Sequence, residues 1–295
     1  MYQMMSLPLY SGTLGEYNSW RDLGQELERL GCDGIEGVWG GEDLPKDLPA
    51  ELILGYHLIF YPDWLDFYRD DRAALKQKFG SLEVTASFYG GLGPDTLLEQ
   101  YRADLRRAVN LGARYVVFHV SDVSLEEGYT YRWLHTNQEV IDAAVEVVNL
   151  ILGEERWPFE FLVENQWWPG FTFTEPEETA RLLEGIRFAG KGILLDTGHL
   201  MNACTELKTE AEGADYIRRM LNRHGSLAKW VRGVHLHQSL SGAYVKAHTG
   251  SLPAGLPEDY MERFGVSYQH ILQIDQHRPW TDPAILSVLE QIEPR

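Results

Sequence analysis

Short apolar runs that end on a polar side chain, alternating with amphipathic helical stretches, constrain this chain more than any other feature. The clearest run is Gly192-Ile193-Leu194-Leu195, which delivers Asp196 at its end, with His199 three residues on. Consecutive Ile and Leu bounded by glycine read as a strand buried on both faces, as in parallel sheets. Further runs of this kind lie at Met4 to Leu9, Asp33 to Trp39, Leu52 to Phe60, Arg114 to Val120, Pro158 to Asn165, Arg232 to His237 and His270 to Gln276. Polar groups lie at or near their ends: Glu36, His57, His119, Glu164, His235 and Asp275.

Between these runs the period changes from two to between three and four. Leu23, Leu27 and Leu30 share one face of a helix near Ser19 to Leu30. After Gly93-Pro94-Asp95, the residues Leu98, Tyr101, Leu105 and Ala108 form another stripe, and Val140, Ala144, Val147 and Ile151 a third. Thr136-Asn137-Gln138-Glu139 and Thr174-Glu175-Pro176-Glu177 carry the capping-box pattern at helix starts. A helix over about residues 214 to 222 and another opened by Asp282-Pro283 complete the alternation. Eight strands alternating with helices in 295 residues predict one (β/α)8 barrel domain over residues 1–295. The runner-up, a doubly wound open sheet, lacks a G-x-G-x-x-G after an early strand.

In a barrel the strand ends converge on one mouth, where the chemistry is kept. His57, His119, Glu164, Asp196, His235 and Asp275 are then neighbours, with His199, His237 and His248 in the following turns. Desolvating several carboxylates and imidazoles together is costly unless a divalent cation resolves it. Oxygen-rich sets with one His suit Mn²⁺ or Mg²⁺, and more imidazoles favour Zn²⁺. The bland reading of Asp196, a helix cap with His199 packed below, stands beside the metal reading.

The formal net charge of −18 argues against sequence-independent nucleic-acid binding, which needs Lys and Arg against phosphates, and suits cation recruitment. Two cysteines, Cys32 and Cys204, indicate no disulfide framework. No signal peptide and no run of roughly 18 apolar residues is read, so a cytoplasmic location without a membrane is expected.

Three segments carry a resemblance. Val163-Glu164-Asn165, Leu195-Asp196-Thr197-Gly198-His199 and Val234-His235-Leu236-His237 resemble the fifth-, sixth- and seventh-strand motifs of the xylose-isomerase-like TIM barrels. That superfamily includes sugar and sugar-phosphate isomerases and epimerases, and apurinic endonucleases related to endonuclease IV. The resemblance implies that Glu164, Asp196 and His235 ligate one divalent ion (Mn, Co, Mg or Zn), with Asp275 as the eighth-strand carboxylate. It implies substrate contact or a further metal for His199. Gln238 stands where the family often has an acid after strand seven, and Lys246 where the endonucleases carry the Asp of Asp-x-His.

The expected activity is isomerisation or epimerisation of a sugar, sugar phosphate or polyol, with Glu164 and Asp275 relaying a proton next to a metal-bound carbonyl. His57, His119, His199, His237, Trp167 and Lys246 are the candidate substrate contacts. Trp167-Trp168-Pro169-Gly170 and the aromatic stretch Ser121 to Trp133 offer faces for sugar stacking, and Ser239 to Pro257 reads as a mobile lid. Two alternatives stay open: a metal-dependent phosphodiesterase of the endonuclease IV type, and a metal-free barrel that binds a small ligand. The expected partners are a small carbohydrate or polyol and a second copy of the chain, with no nucleic acid.

Overall fold

The computed structural model describes residues 2–44 and 47–292. Seven strands form one parallel sheet in the order of the chain: β1 Met4–Leu9, β2 Gly34–Trp39, β3 Ile53–His57, β4 Tyr115–His119, β5 Glu160–Glu164, β6 Lys191–Asp196 and β7 Val231–His235. Each pairs with the next, so every crossover carries the same-direction step that parallel pairing demands. The sheet curls as a barrel wall, and among the described residues β7 does not pair back to β1.

The eighth strand expected at His270 to Gln276 is not formed. Residues Tyr260–Leu272 are helical, capped by the Asp259 carboxylate on the Glu262 N–H, and the chain then turns. Tyr260, Phe264, Ser267 and Ile271 recur at steps of four, three and four, and this helical period overrides the strand-like alternation of the last few residues. After the turn the chain meets β7's extension in one isolated antiparallel bridge, between Gln238 and Arg278, and the Gln276 N–H donates to the Ser239 hydroxyl at 3.0 Å.

The helices follow from their caps and stripes. Ser19 caps Trp20–Leu30, burying Leu23 and Leu27 while Leu30 stays exposed. Thr136 and Glu139 complete the expected capping box of Asn137–Leu152. Thr174 does not do the same: Glu175 occupies the cap of Pro176–Gly185 without a side-chain bond, and Thr174 pairs with Thr172 instead. Pro176 supplies the first-turn backbone angle there. The helix foreseen over 214–222 runs from Glu210 to His224, with its own capping box on Thr209.

Two mouth segments expected to be loops contain helices. Leu125–Thr130 is opened by a capping box of Ser124 and Glu127, and Gly242–His248 lies within the stretch expected to be a lid. Among the described residues no helix is long and apolar enough to cross a membrane.

Candidate metal centre

Five of the seven strands end on a residue of the centre. His57, His119, Glu164, Asp196 and His235 are the last residues of β3, β4, β5, β6 and β7. Register brings them side by side, with His119 opposite Glu164 and Asp196 opposite His235. Cross-strand amide bonds hold the middle of this row: Asn165 donates from Nδ2 to the Asp196 carbonyl at 3.0 Å and accepts the Asp196 N–H at 2.8 Å.

Glu164 is the hub. One oxygen, Oε2, lies 3.3 Å from Nε2 of His57 and 3.1 Å from Nε2 of His119, and those two nitrogens are 3.0 Å apart. The other, Oε1, lies 3.2 Å from Nδ1 of His235 and 3.2 Å from Nδ1 of His199. Asp196 divides its oxygens differently. Oδ1 accepts the His199 backbone N–H at 2.7 Å and caps Thr197–Asn202, while Oδ2 faces Nε2 of His237 at 2.8 Å. The cap and the site are therefore both served by one carboxylate.

Asp275 comes to the centre from the turn after the Tyr260–Leu272 helix, not from a strand. Its Oδ2 lies 3.3 Å from Nε2 of His199, and its Oδ1 lies 3.3 Å from Nδ1 of His277. His277, which the strand-end pattern does not single out, sits at φ 46° and stacks on His237 with ring centroids 4.1 Å apart. Arg278 meets Gln238 through its backbone rather than pairing with Asp275. The signal for His277 is its step of two from Asp275, the same Asp-x-His spacing sought near Lys246.

Burial and charge act together here. Burial alone would raise the Glu164 carboxyl, but the imidazoles of His119 and His235 outweigh it and hold it well below the usual range. Asp196 is likewise lowered despite burial, by His199 and His237. Burial lowers His119, whereas in His199 and His235 the neighbouring carboxylates overcome burial and raise the imidazoles well above their ordinary value.

Among the described residues, donor atoms within 4.8 Å of one another form three groups that could each hold an ion: His57, His119 and Glu164; Glu164, Asp196 and His235; and His199, His237, Asp275 and His277. Glu164 Oε2, His237 Nδ1 and Asp275 Oδ1 are buried without a hydrogen-bond partner. Orphaned lone pairs on carboxylates and imidazoles in one cluster are the donor set a divalent cation satisfies, so the residues present fit such ions.

Of the other expected contacts, Trp167 is in place, its ring centroid 5.1 Å from that of His199, and it packs with Trp168, Val123, Val245 and Ile274. Lys246 and His248 are not brought there. Lys246 pairs with Glu206 at 2.7 Å in the open, and exposed His248 bonds the Tyr244 carbonyl through Nδ1. A cavity of about 1390 Å³ joins the three groups, with Phe60, Tyr61, Trp167 and Trp168 among its walls.

A curled parallel sheet of seven strands, with carboxylates and imidazoles gathered at successive C-terminal strand ends, is consistent with the TIM-barrel class of protein. The chain belongs to the xylose isomerase-like TIM barrel family, whose model matches residues 25–286. The curated proteins compared give no match. Solved structures with a similar course include a probable 3-DHS dehydratase from Bacillus anthracis (14% identity, 99% of this chain and 98% of that chain, TM-score 0.45). An L-ribulose 3-epimerase is similar at 11% identity (99% and 95%, TM-score 0.48), as is an endonuclease IV from Thermus thermophilus at 16% (99% and 98%, TM-score 0.40). At these levels of likeness no activity is carried over to this chain.

Proposed function

We propose that the protein is a divalent-metal-dependent enzyme with a centre for more than one ion, and that it hydrolyses a phosphate ester of a small carbohydrate or polyol. The observation that carries this reading is the division of Glu164, one oxygen toward His57 and His119 and the other toward His235 and His199. A carboxylate divided in this way would be held in common by two ion sites. In this reading Glu164 would be poorly placed as a free general base, and it and Asp275 would act as ligands in place of the expected proton relay.

In this reading Glu164, Asp196 and His235 hold one ion, His57 and His119 a second with Glu164, and His199, His237, Asp275 and His277 a third. Paired divalent ions supply electrostatic stabilisation for both the attacking and the leaving oxygen of a displacement at phosphorus. The protein's own part is orientation. Asn165 locks β5 to β6, Thr197 donates its hydroxyl to the His235 and His237 carbonyls at 3.0 and 2.5 Å, and Trp167 covers His199 against water. The replaced Asp at Lys246 no longer counts against multi-ion chemistry, because Asp275 and His277 furnish an Asp-x-His step. The charge of −18 favours a small substrate over DNA.

Sugar isomerisation or epimerisation is the second reading, favoured by the position of His199. Its ring spans the two carboxylates Glu164 and Asp275, at 3.2 and 3.3 Å, where a proton could be passed between them.

Elemental analysis after reconstitution with Mn²⁺, Co²⁺ or Zn²⁺ should give two or more ions per chain, and none would overturn the metal reading. The loaded protein is then offered sugar and polyol phosphates, ketoses in D2O, and abasic-site DNA. Phosphate release supports the hydrolase. Deuterium next to the carbonyl without phosphate release transfers the assignment to isomerisation, cleavage of the DNA transfers it to a phosphodiesterase, and inertness toward every substrate overturns the hydrolase reading.

A further inference from the structure

One buried carboxylate of the barrel interior lies outside all three donor groups. Glu36 stands in the middle of β2, not at its end, and is 3% exposed. It is in register with Gly55 of β3, which in turn is in register with Tyr115 of β4. The Tyr115 ring lies across β3, and a Cβ on Gly55 would overlap it, so glycine is required at that crossing. The Tyr115 hydroxyl donates to Oε2 of Glu36 at 2.7 Å. With that oxygen engaged, Oε1 meets Nε2 of His235 at 2.9 Å, across the barrel from β2 to β7.

A carboxylate can only accept, so Nε2 of His235 donates to Glu36 and keeps its proton there, while an ion in the group would take the place of the proton on Nδ1 and meet that nitrogen's lone pair. Nδ1 is the atom that faces Glu164 and Asp196, at 3.2 and 3.6 Å. His57 has the reverse arrangement. Its Nδ1 donates to the Leu58 carbonyl at 2.8 Å, leaving Nε2 to face Glu164 and His119. Two imidazoles of one centre thus offer different nitrogens, each chosen by the partner on the other side of its ring.

We propose that Glu36, held by Tyr115, is a positioning residue that fixes the ring plane and tautomer of His235, so that Nδ1 is the nitrogen presented to the ion of the Glu164, Asp196 and His235 group. The inference rests on the metal-centre reading. Carboxylates behind ligating histidines typically change metal affinity by about 10- to 100-fold when removed. Glu36→Met keeps the length of the side chain and removes the acceptor, so the affinity for that ion falls within this range. Glu36→Gln keeps a neutral acceptor and loses less, about tenfold or under.

The test combines two measurements on the full chain. Long-range ¹H–¹⁵N correlation spectra of the Zn²⁺-loaded, histidine-labelled wild type should show His235 protonated at Nε2 and bound through Nδ1. Competition with a chelating dye then ranks Zn²⁺ affinity as wild type, Glu36→Gln, Glu36→Met. A His235 bound through Nε2, or a Glu36→Met affinity within about twofold of wild type, overturns the proposal. If Glu36→Met does not fold, the wild-type spectrum decides alone. Failure of the wild type to bind Zn²⁺ at all instead overturns the metal centre itself.

Discussion

The imidazole of His237 lies so close to the backbone of Gly198 that a methyl group at Gly198 would overlap ring atoms. From that seat, Nε2 of His237 reaches Oδ2 of Asp196 at 2.8 Å. The glycine in Asp-Thr-Gly-His is thus required by a residue far along the chain, on the extension of the neighbouring strand.

Gly198→Ala is therefore expected to push His237 off Asp196. The carboxylate would lose its closest imidazole, and the group with His199, Asp275 and His277 would open. Activity should drop by at least about tenfold, with overpacking costing about 1–3 kcal/mol of stability. Kinetics on the metal-loaded enzyme together with urea unfolding check this, and a variant with unchanged activity would contradict it.

Removing His119 separates the two halves of Glu164. His119→Ala leaves His235 and His199 facing Oε1 while removing the nitrogen that lies 3.1 Å from Oε2. Metal content should fall by about one ion per chain. Glu164→Gln should cost two, since both groups use it. Elemental analysis of the purified variants reads the difference, and equal losses would mean that Glu164 is not shared.

Lys246→Ala should leave activity within about twofold of wild type. The lysine stands on the surface against Glu206, where an exposed ion pair contributes little. A large loss of turnover would show that Gly242–His248 swings over the mouth during the reaction.

Much of this centre was legible in the sequence because buried parallel strands betray themselves as apolar runs, and the polar residue closing each run is placed at the mouth. His57, His119, Glu164, Asp196 and His235 close or follow such runs, and Thr136 is readable as a cap from the Glu three residues on. Asp275 was named for a wrong reason: His270 to Gln276 alternates like a strand, while the helical period that governs its first residues begins well upstream at Tyr260. Glu36 was seen only as a polar group near a strand's end, because a partner on β7 leaves no local trace. The short helices Leu65–Tyr68, Arg72–Phe79 and Leu82–Tyr89 carry too few turns for a stripe to be read.

The mouth segment Leu125–Thr130 depends on one buried carboxylate. Glu127 accepts the Ser124 N–H at 2.8 Å and hydroxyl at 2.6 Å on Oε2, and the Leu134 N–H at 2.6 Å on Oε1. Glu127→Ala leaves these donors unpaired in a site that is 2% exposed. A loss of about 2–3 kcal/mol is expected, with faster proteolysis between residues 124 and 135. Protection equal to wild type would show that the segment is held by its apolar contacts alone.

A second polar cluster sets the pH dependence of stability away from the centre. His135 lies 2.8 Å from Asp122 through Nδ1 and 3.2 Å from Asp66 through Nε2, and Lys78 pairs with Asp66 and Asp63 at 2.7 Å each. Hydrogen bonds to Asp122 and Asp66 raise the His135 imidazole to about 10. A group raised in the folded state stabilises fully below its unfolded value of about 6.5, and the gain is lost as pH climbs through about 10. Asp66 is the opposite case. Against burial, His135 and Lys78 lower it to about 2, so its contribution is present above the unfolded value near 3.9 and vanishes as pH falls through 2. His135→Gln should thus be less stable than wild type at pH 6 by about 1–2 kcal/mol, a figure discounted for water reaching this half-buried pair, and the gap should shrink steadily as pH rises toward 10. Urea unfolding of both proteins at pH 6, 8 and 10 measures it. A gap that stays constant over that range would mean that His135 contributes by packing and not by charge.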